Sequence, residues 1–433
     1  MERTKDKYRF SRFLYIIQAA VEYFITTLVG GAYLAKVTAT VGMSDDVTAI
    51  LSSLVTLGVG FQLVALFIPQ GKRVKGWVTP CMLIYQLIFT FVYVIPLFSF
   101  TREVKMLIMF AALLAGQILR NVIYSPQTGW LMGLVAEHKR GSFTAVKEIV
   151  SLLSGMVYTF VIGLVMDHFE SQGNINGAFI ACSMILLSLT VAHTLLIVFT
   201  REKPPVAPPT EKASIRRQVG EAVTDKNLWR VLPVSILWAV ATNVSTPFYG
   251  TYQNKELGFT MTFIAVIAAV SSLARVFASI PLGRYADRHS FTKMLKICFF
   301  IAAAAFLVNT FTVPENGRVM FFIYSVLYAV SMAGINSSAI NLIYDATPVE
   351  RRASALAIRG TVTGFLGFFA TLAARPLIRH VQASGNVLFG VQVYAQQVVS
   401  AIAFLLLIVT IVYLNTALKR FKRVKANVTE DED

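Results

Sequence analysis

Glu22 and Arg120 each stand as a lone charge near the middle of a long apolar stretch. A charge at such a depth costs about 2.5–3.5 kcal/mol on insertion scales, so something must offset it. An ion pair between the two, or a water network that they share, would do so. A carboxyl whose hydration changes also changes its protonation, which makes Glu22 the candidate proton-coupling group. Arg120, permanently charged and with a fork of donors, is a candidate for binding an anionic or hydrogen-bonding group of a substrate. The competing reading is a structural pair between two helices.

Other polar residues are spaced to join these two on helical faces. At about 100° per residue, Gln18, Glu22, Thr26 and Tyr33 fall within about 80° of arc. Gln117, Arg120, Asn121, Tyr124 and Gln127 fall within about 120°, as do Asn243, Thr246, Tyr249 and Gln253. Tyr324, Tyr328, Ser331 and Ser338 align on a fourth face. These faces belong to the first, fourth, seventh and tenth of about twelve apolar stretches, each long enough to cross a hydrocarbon core of about 30 Å as a helix. The stretches run over 13–36, 47–69, 77–99, 105–134, 143–166, 176–199, 229–252, 261–281, 293–313, 318–345, 355–377 and 393–416. The ninth and twelfth are almost wholly apolar and suit a lipid-facing periphery.

Composition demands a membrane as solvent: 56% of the 433 residues are hydrophobic, 14% are charged, and mean hydropathy is +0.64. The net charge of +16 points to topology and not to nucleic acid. About 28 of the 39 Lys and Arg residues cluster at one set of span ends and about 6 at the other, which places both termini in the cytoplasm. The first span is too long for a signal peptide and lacks a small-residue cleavage site. Cys81, Cys182 and Cys298 lie inside apolar stretches and offer neither a disulfide framework nor metal-ligand spacing. The five histidines, His138, His168, His193, His289 and His380, are scattered, and no P-loop is present, so neither a membrane enzyme nor an ATP-driven pump is expected and no cofactor is implied.

The chain also repeats itself. One register shift lays Pro69, Gly71, Lys72 and Lys75 on Pro281, Gly283, Arg284 and Asp287, and the same shift lays Lys139, Arg140, Ser142, Ala145 and Lys147 on Arg351, Arg352, Ser354, Ala357 and Arg359. Doubled units of this kind place a substrate site between two halves. The expected division is a first half over 1–200, a proline-bearing cytoplasmic linker over 201–228, a second half over 229–416 and a cytoplasmic tail over 417–433.

Gly283-Arg284-Tyr285-Ala286-Asp287-Arg288, followed by Lys293, resembles the G-x-x-x-D-R signature of the major facilitator superfamily. With six spans per half and a polar linker, the resemblance covers essentially the whole chain. It implies an all-α membrane fold of two six-helix halves, secondary active transport by alternating access, and a cavity lined by the first and fourth helices of each half. It also implies an arginine like Arg120 in the fourth helix. The first-half copy departs from the signature, carrying Lys75 where the second half has Asp287. Gly283, Asp287 and Arg288 with Lys147 are therefore the expected cytoplasmic gate, Asp287 pairing with Lys147, against the competing reading that the two are separately solvated at the membrane surface.

Arg275 and Arg375 read as cations that snorkel to the interface, and Trp77, Trp130 and Trp229 as interfacial anchors. The partners implied are the lipid bilayer, a small-molecule substrate and a coupling ion, with proton favoured over sodium. Deep cations lean toward an organic anion or zwitterion, whereas the tyrosines and amides equally suit a sugar. Ser151-Leu152-Leu153-Ser154-Gly155-Met156-Val157 lacks the G-P-x-x-G-G pattern of many drug antiporters, which ranks export of lipophilic compounds second. A transporter-like sensor shares the fold and stays open as a further alternative.

Overall fold

The computed structural model describes residues 7–67, 73–136, 139–204, 215–348, 351–388 and 390–418. Pro69, Gly71, Lys72, His138 and the basic C-terminal tail lie outside the described residues. Among the described residues, 12 helical spans are long and apolar enough to cross a membrane.

The first span is broken into α1 (Arg9–Leu28) and α2 (Gly31–Thr40). The break follows from two glycines: Gly30 is extended and Gly31 has φ +53°, a left-handed value that glycine adopts without a Cβ clash. A helix ended inside a membrane protein leaves carbonyls that must find donors. The fully buried Tyr93 hydroxyl donates to the carbonyl of Leu28 at 2.7 Å. The following spans are α3 (Asp45–Gly60), prolonged by a 3-10 turn at Phe61–Phe67, then α4 (Lys75–Val94), α5 (Arg102–Gly133), α6 (Arg140–Ser171) and α7 (Ile175–Phe199). A short helix, α8 (Ile215–Val223), precedes the second half.

The seventh span is broken as well. α9 (Lys226–Asn243) gives way to a 3-10 turn at Thr246–Phe248 carrying Pro247, then α10 (Tyr249–Thr251) and a π turn at Tyr252–Glu256. Here Thr371 donates to the freed carbonyl of Asn243 at 2.8 Å. The remaining spans are α11 (Met261–Arg288), α12 (Phe291–Thr310), α13 (Gly317–Ala346), α14 (Arg352–Ala383) and α15 (Ala395–Thr416), with a two-residue hairpin, β1 (Val387–Leu388) with β2 (Val391–Gln392), between the last two.

Contacts divide the chain into two compact units. The first comprises Met1–Pro208 with Thr246–Ser272, the second Pro209–Ser245 with Leu273–Asp433. In the first unit the Asp167 carboxylate accepts the amides of Met261 and Thr262, both at 2.8 Å, capping the N-terminus of α11 where the helix dipole favours a negative charge. Lys255 pairs with Asp45 at 2.5 Å, and Asn254 donates to the Ala32 carbonyl at 2.9 Å. Gly250 lies so close to Gly31 that an added Cβ would stand 2.6 Å from the Gly31 carbonyl oxygen. In the second unit the core is α12 against α13 and α15, with buried Asn309 donating to Ser400 at 3.0 Å.

Candidate substrate and coupling site

α1 and α5 bring Glu22 and Arg120 together in the first unit. Arg120 Nε lies 3.6 Å from Glu22 Oε1, with the two side chains 27% and 18% exposed, so the pair is sheltered but not sealed. Gln127, two turns along α5 from Arg120, donates to Glu22 Oε2 at 3.1 Å. One carboxylate oxygen thus faces the guanidinium as an ion pair and the other accepts a hydrogen bond from an amide.

A polar layer adjoins the pair, and of its members only Gln18 was expected at the site from the sequence. Tyr85, fully buried on α4, lies within electrostatic reach of both Glu22 and Arg120. Its neighbour Gln86 lies with Nε2 2.8 Å from Nδ1 of His193 on α7, both buried. Gln18, buried on α1, donates to Thr200 Oγ1 at 2.5 Å. His193 lies on α7 and Thr200 caps its C-terminus, about two turns further along the chain.

The other expected first-half residues have local partners. Thr26 donates back to the carbonyls of Glu22 and Tyr23 at 3.0 and 3.1 Å. Tyr33, beyond the helix break, is buried and donates to the Thr159 carbonyl at 3.0 Å. Asn121 bridges, donating to the Gln117 carbonyl at 2.9 Å and accepting from Gln62 at 3.3 Å. Tyr124 is 50% exposed.

In the second unit the equivalent region is aromatic. Trp238 of α9 stacks on Tyr328 of α13 with ring centroids 6.1 Å apart, and Tyr328 stacks on Tyr324 at 5.8 Å. Phe299 and Phe306 of α12 pack against these rings at 5.6 to 5.8 Å. Asn243 turns back to the Ala239 carbonyl at 2.8 Å. Thr246, Tyr249 and Gln253 lie past the break, in the first unit, with Tyr249 buried. Arg359 donates from Nε to buried Ser235 at 2.9 Å.

At the gate position, Lys147 sits with Nζ 5.2 Å from the centroid of the Tyr15 ring, a cation–π contact within its own unit. Gly283 and Arg288 lie on α11, and the Asp287 side chain lies outside the described residues. Lys75, the first-half counterpart of Asp287, does separate work: its Nζ donates to the carbonyls of Val198 and Thr200 at 2.7 and 2.9 Å, closing the C-terminus of α7. Glu202 meanwhile accepts the Val74 amide at 2.6 Å beside the start of α4. The charge reversal between the copies therefore has a physical reason, since a cation suits a helix C-terminus. Trp130 is buried, donating to the Arg201 carbonyl at 3.2 Å, so its indole serves an internal joint.

Twelve helices long and apolar enough to cross a membrane, among the described residues, with a sheltered ion pair inside the first unit, define a multi-pass membrane protein. The Major Facilitator Superfamily model matches residues 15–371 and 241–427, and the chain belongs to that family. It is accordingly a transporter, not an enzyme. The chain is similar in fold to the nucleoside transporter NupG, with TM-score 0.70, 13% identity, and 95% of this chain and 100% of that one covered. It is likewise similar to a POT family peptide transporter, with TM-score 0.68, 12% identity, and 96% and 98% covered. A D-xylose-proton symporter matches with TM-score 0.65 and 12% identity, over 93% of this chain and 97% of that one. No curated protein matches by sequence.

Proposed function

We propose that this protein is a secondary active transporter that moves a small polar organic solute by alternating access, coupled to protons through Glu22. The contact that carries the reading is Glu22 held between Arg120 and Gln127, because protonating a carboxylate removes the charge that attracts the guanidinium. Solute binding or a change in hydration then shifts the balance between the charged and neutral forms, and with it the preference for one conformation. Proton is preferred to sodium because Glu22 stands apart in the sequence from any obvious oxygen-rich cation cluster. The solutes named for the structural neighbours, a nucleoside, a peptide and D-xylose, are polar and of the size this reading requires.

Gln18, Gln117 and Asn121 in the first half, and Asn243, Tyr324 and Tyr328 in the second, supply the hydrogen-bonding and stacking surface of the path. The halves are 1–200 and 229–416, joined by a cytoplasmic linker, with both termini cytoplasmic in the plasma membrane or its bacterial equivalent. Gly283, Asp287, Arg288 and Lys147 form the cytoplasmic gate; Asp287→Ala with an unchanged inward–outward balance would remove that role.

Uptake into proteoliposomes of labelled sugars, nucleosides, organic acids and amino acids, with and without an imposed proton gradient, tests the function. Gradient-dependent accumulation of one class is the expected result. Ligand binding without flux would make the protein a sensor instead.

A further inference from the structure

Tyr85 of α4 is fully buried, as are its neighbour Gln86 and His193 of α7. A buried polar side chain is costly unless its hydrogen bonds are made, so where these three direct theirs is informative. The Tyr85 ring stands edge-on to Phe89 with centroids 5.5 Å apart, and Phe89 fills the space over Gly116 of α5, where an added Cβ would lie 2.5 Å from the Phe89 ring. Packing this close fixes the Tyr85 ring and leaves its hydroxyl hydrogen as the part that can turn. The hydroxyl is hydrogen-bonded to the Glu22 side chain. A carboxylate can only accept, so Tyr85 is the donor.

Gln86 enforces that direction. Its Nε2 donates to Tyr85 Oη at 3.3 Å and lies 2.8 Å from His193 Nδ1. An amide nitrogen offers two hydrogens and no lone pair, so Nδ1 is the acceptor and the neutral imidazole keeps its own hydrogen on Nε2. With Gln86 donating to the phenol oxygen, the phenol's hydrogen is left for Glu22. Turned over, the amide would present Oε1 to Tyr85 and compete with Glu22 for that hydrogen, and the Nδ1 lone pair of His193 holds it the other way round. Gln86 Oε1 makes no hydrogen bond among the described residues, so the nitrogen alone sets the orientation of the amide. The groups around Glu22 that titrate or carry charge are Arg120 of α5, Tyr85 of α4, His193 of α7 and Tyr15 of α1 itself, with Lys147 of α6 over the Tyr15 ring. All belong to the first unit.

We infer that Tyr85 is a positioning residue of the coupling carboxylate, a further donor to Glu22 whose hydrogen is aimed by Gln86 and His193. A donor to the charged form of a carboxyl favours that form, so deleting the Tyr85 hydroxyl makes Glu22 take up its proton at higher pH. The inference deepens the coupling role proposed above and rests on it for its use. The hydrogen-bond chain itself acts on Glu22 whether or not the protonation of Glu22 drives transport.

The test is an infrared pH titration of the full chain in lipid nanodiscs, following the protonated-carboxyl C=O stretch that disappears in Glu22→Gln. Wild type is compared with Tyr85→Phe, which deletes one hydroxyl, with Gln86→Met and with the double variant, each checked for monodispersity and melting point. The expected midpoint moves to higher pH by about one unit in Tyr85→Phe and by less in Gln86→Met. The double variant matches Tyr85→Phe, because Gln86 acts only through the phenol. An unmoved midpoint in Tyr85→Phe, additive shifts in the double variant, or no Glu22-dependent band in wild type overturns the inference. Proteoliposome uptake separates the two claims. A midpoint that moves in Tyr85→Phe while the pH dependence of accumulation does not leaves the hydrogen-bond chain standing and removes coupling through Glu22. A proton dependence lost in Glu22→Gln, with the midpoint unmoved in Tyr85→Phe, leaves coupling standing and removes the role of Tyr85.

Discussion

The two halves repeat the same helices but put different chemistry at corresponding places. In the first, α1 and α5 face each other across a carboxylate, a guanidinium and an amide. In the second, α9 and α13 meet through stacked rings, Trp238, Tyr328 and Tyr324. A doubled backbone therefore does not double the site. The conserved part of the repeat is mechanical: both first helices break, and each break has a side-chain hydroxyl from a neighbouring span, Tyr93 in one half and Thr371 in the other, on its terminal carbonyl. The chemical part is free to diverge: an ion pair stands in one half and stacked rings in the other, and on the function proposed above the first carries coupling and the second contacts solute.

The largest expected effect follows from that asymmetry. Glu22→Gln removes the titratable group while keeping its shape, so gradient-driven accumulation falls to the exchange level, a loss of about tenfold or more, while solute exchange persists. Uptake with and without a pH gradient reads it. Unchanged proton dependence in Glu22→Gln would sink the coupling role and with it the division of labour between halves.

Arg120→Gln comes next. It leaves Glu22 with uncharged donors alone and costs about 1–2 kcal/mol of stability, discounted because both side chains are partly exposed. The double variant Glu22→Gln with Arg120→Gln recovers most of that loss, because two neutral amides strand no charge. Additive losses in a melting-point cycle would show that the pair does not interact.

Trp238→Ala probes the other side of the contrast. Losing a ring stacked between α9, α12 and α13 costs about 1–3 kcal/mol and weakens solute affinity, yet proton dependence stays as in wild type. A shift in the pH profile of transport would mean that the second half shares in coupling.

Much of the scaffold was legible in the sequence. The twelve spans follow from hydropathy, with the fourth expected at 105–134 and found as Arg102–Gly133. The pairing of Glu22 with Arg120 follows from the cost of two lone charges. Helical spacing was less informative past a break: Tyr33 was placed on the Glu22 face by a constant 100° per residue, but Gly30 and Gly31 interrupt the helix between them and Tyr33 packs on Thr159 instead. Pro247 resets the phase in the same way between Asn243 and Tyr249. The buried partners Tyr85, Gln86 and His193 were missed because nothing in the sequence says which polar residues of the third and sixth spans meet α1, and only tertiary packing brings α4 and α7 to it.

The finest comparison concerns the two breaks themselves. Tyr93→Phe and Thr371→Val each delete one hydroxyl and leave a buried helix-end carbonyl unsatisfied, so each costs about 1 kcal/mol, and the two losses add because the sites share no partner. If the breaks serve the same mechanical purpose, both variants slow transport to a similar degree without changing its pH dependence. A large effect of one and none of the other, in paired stability and uptake measurements, would show that the repeat kept the break in sequence but its function in only one half.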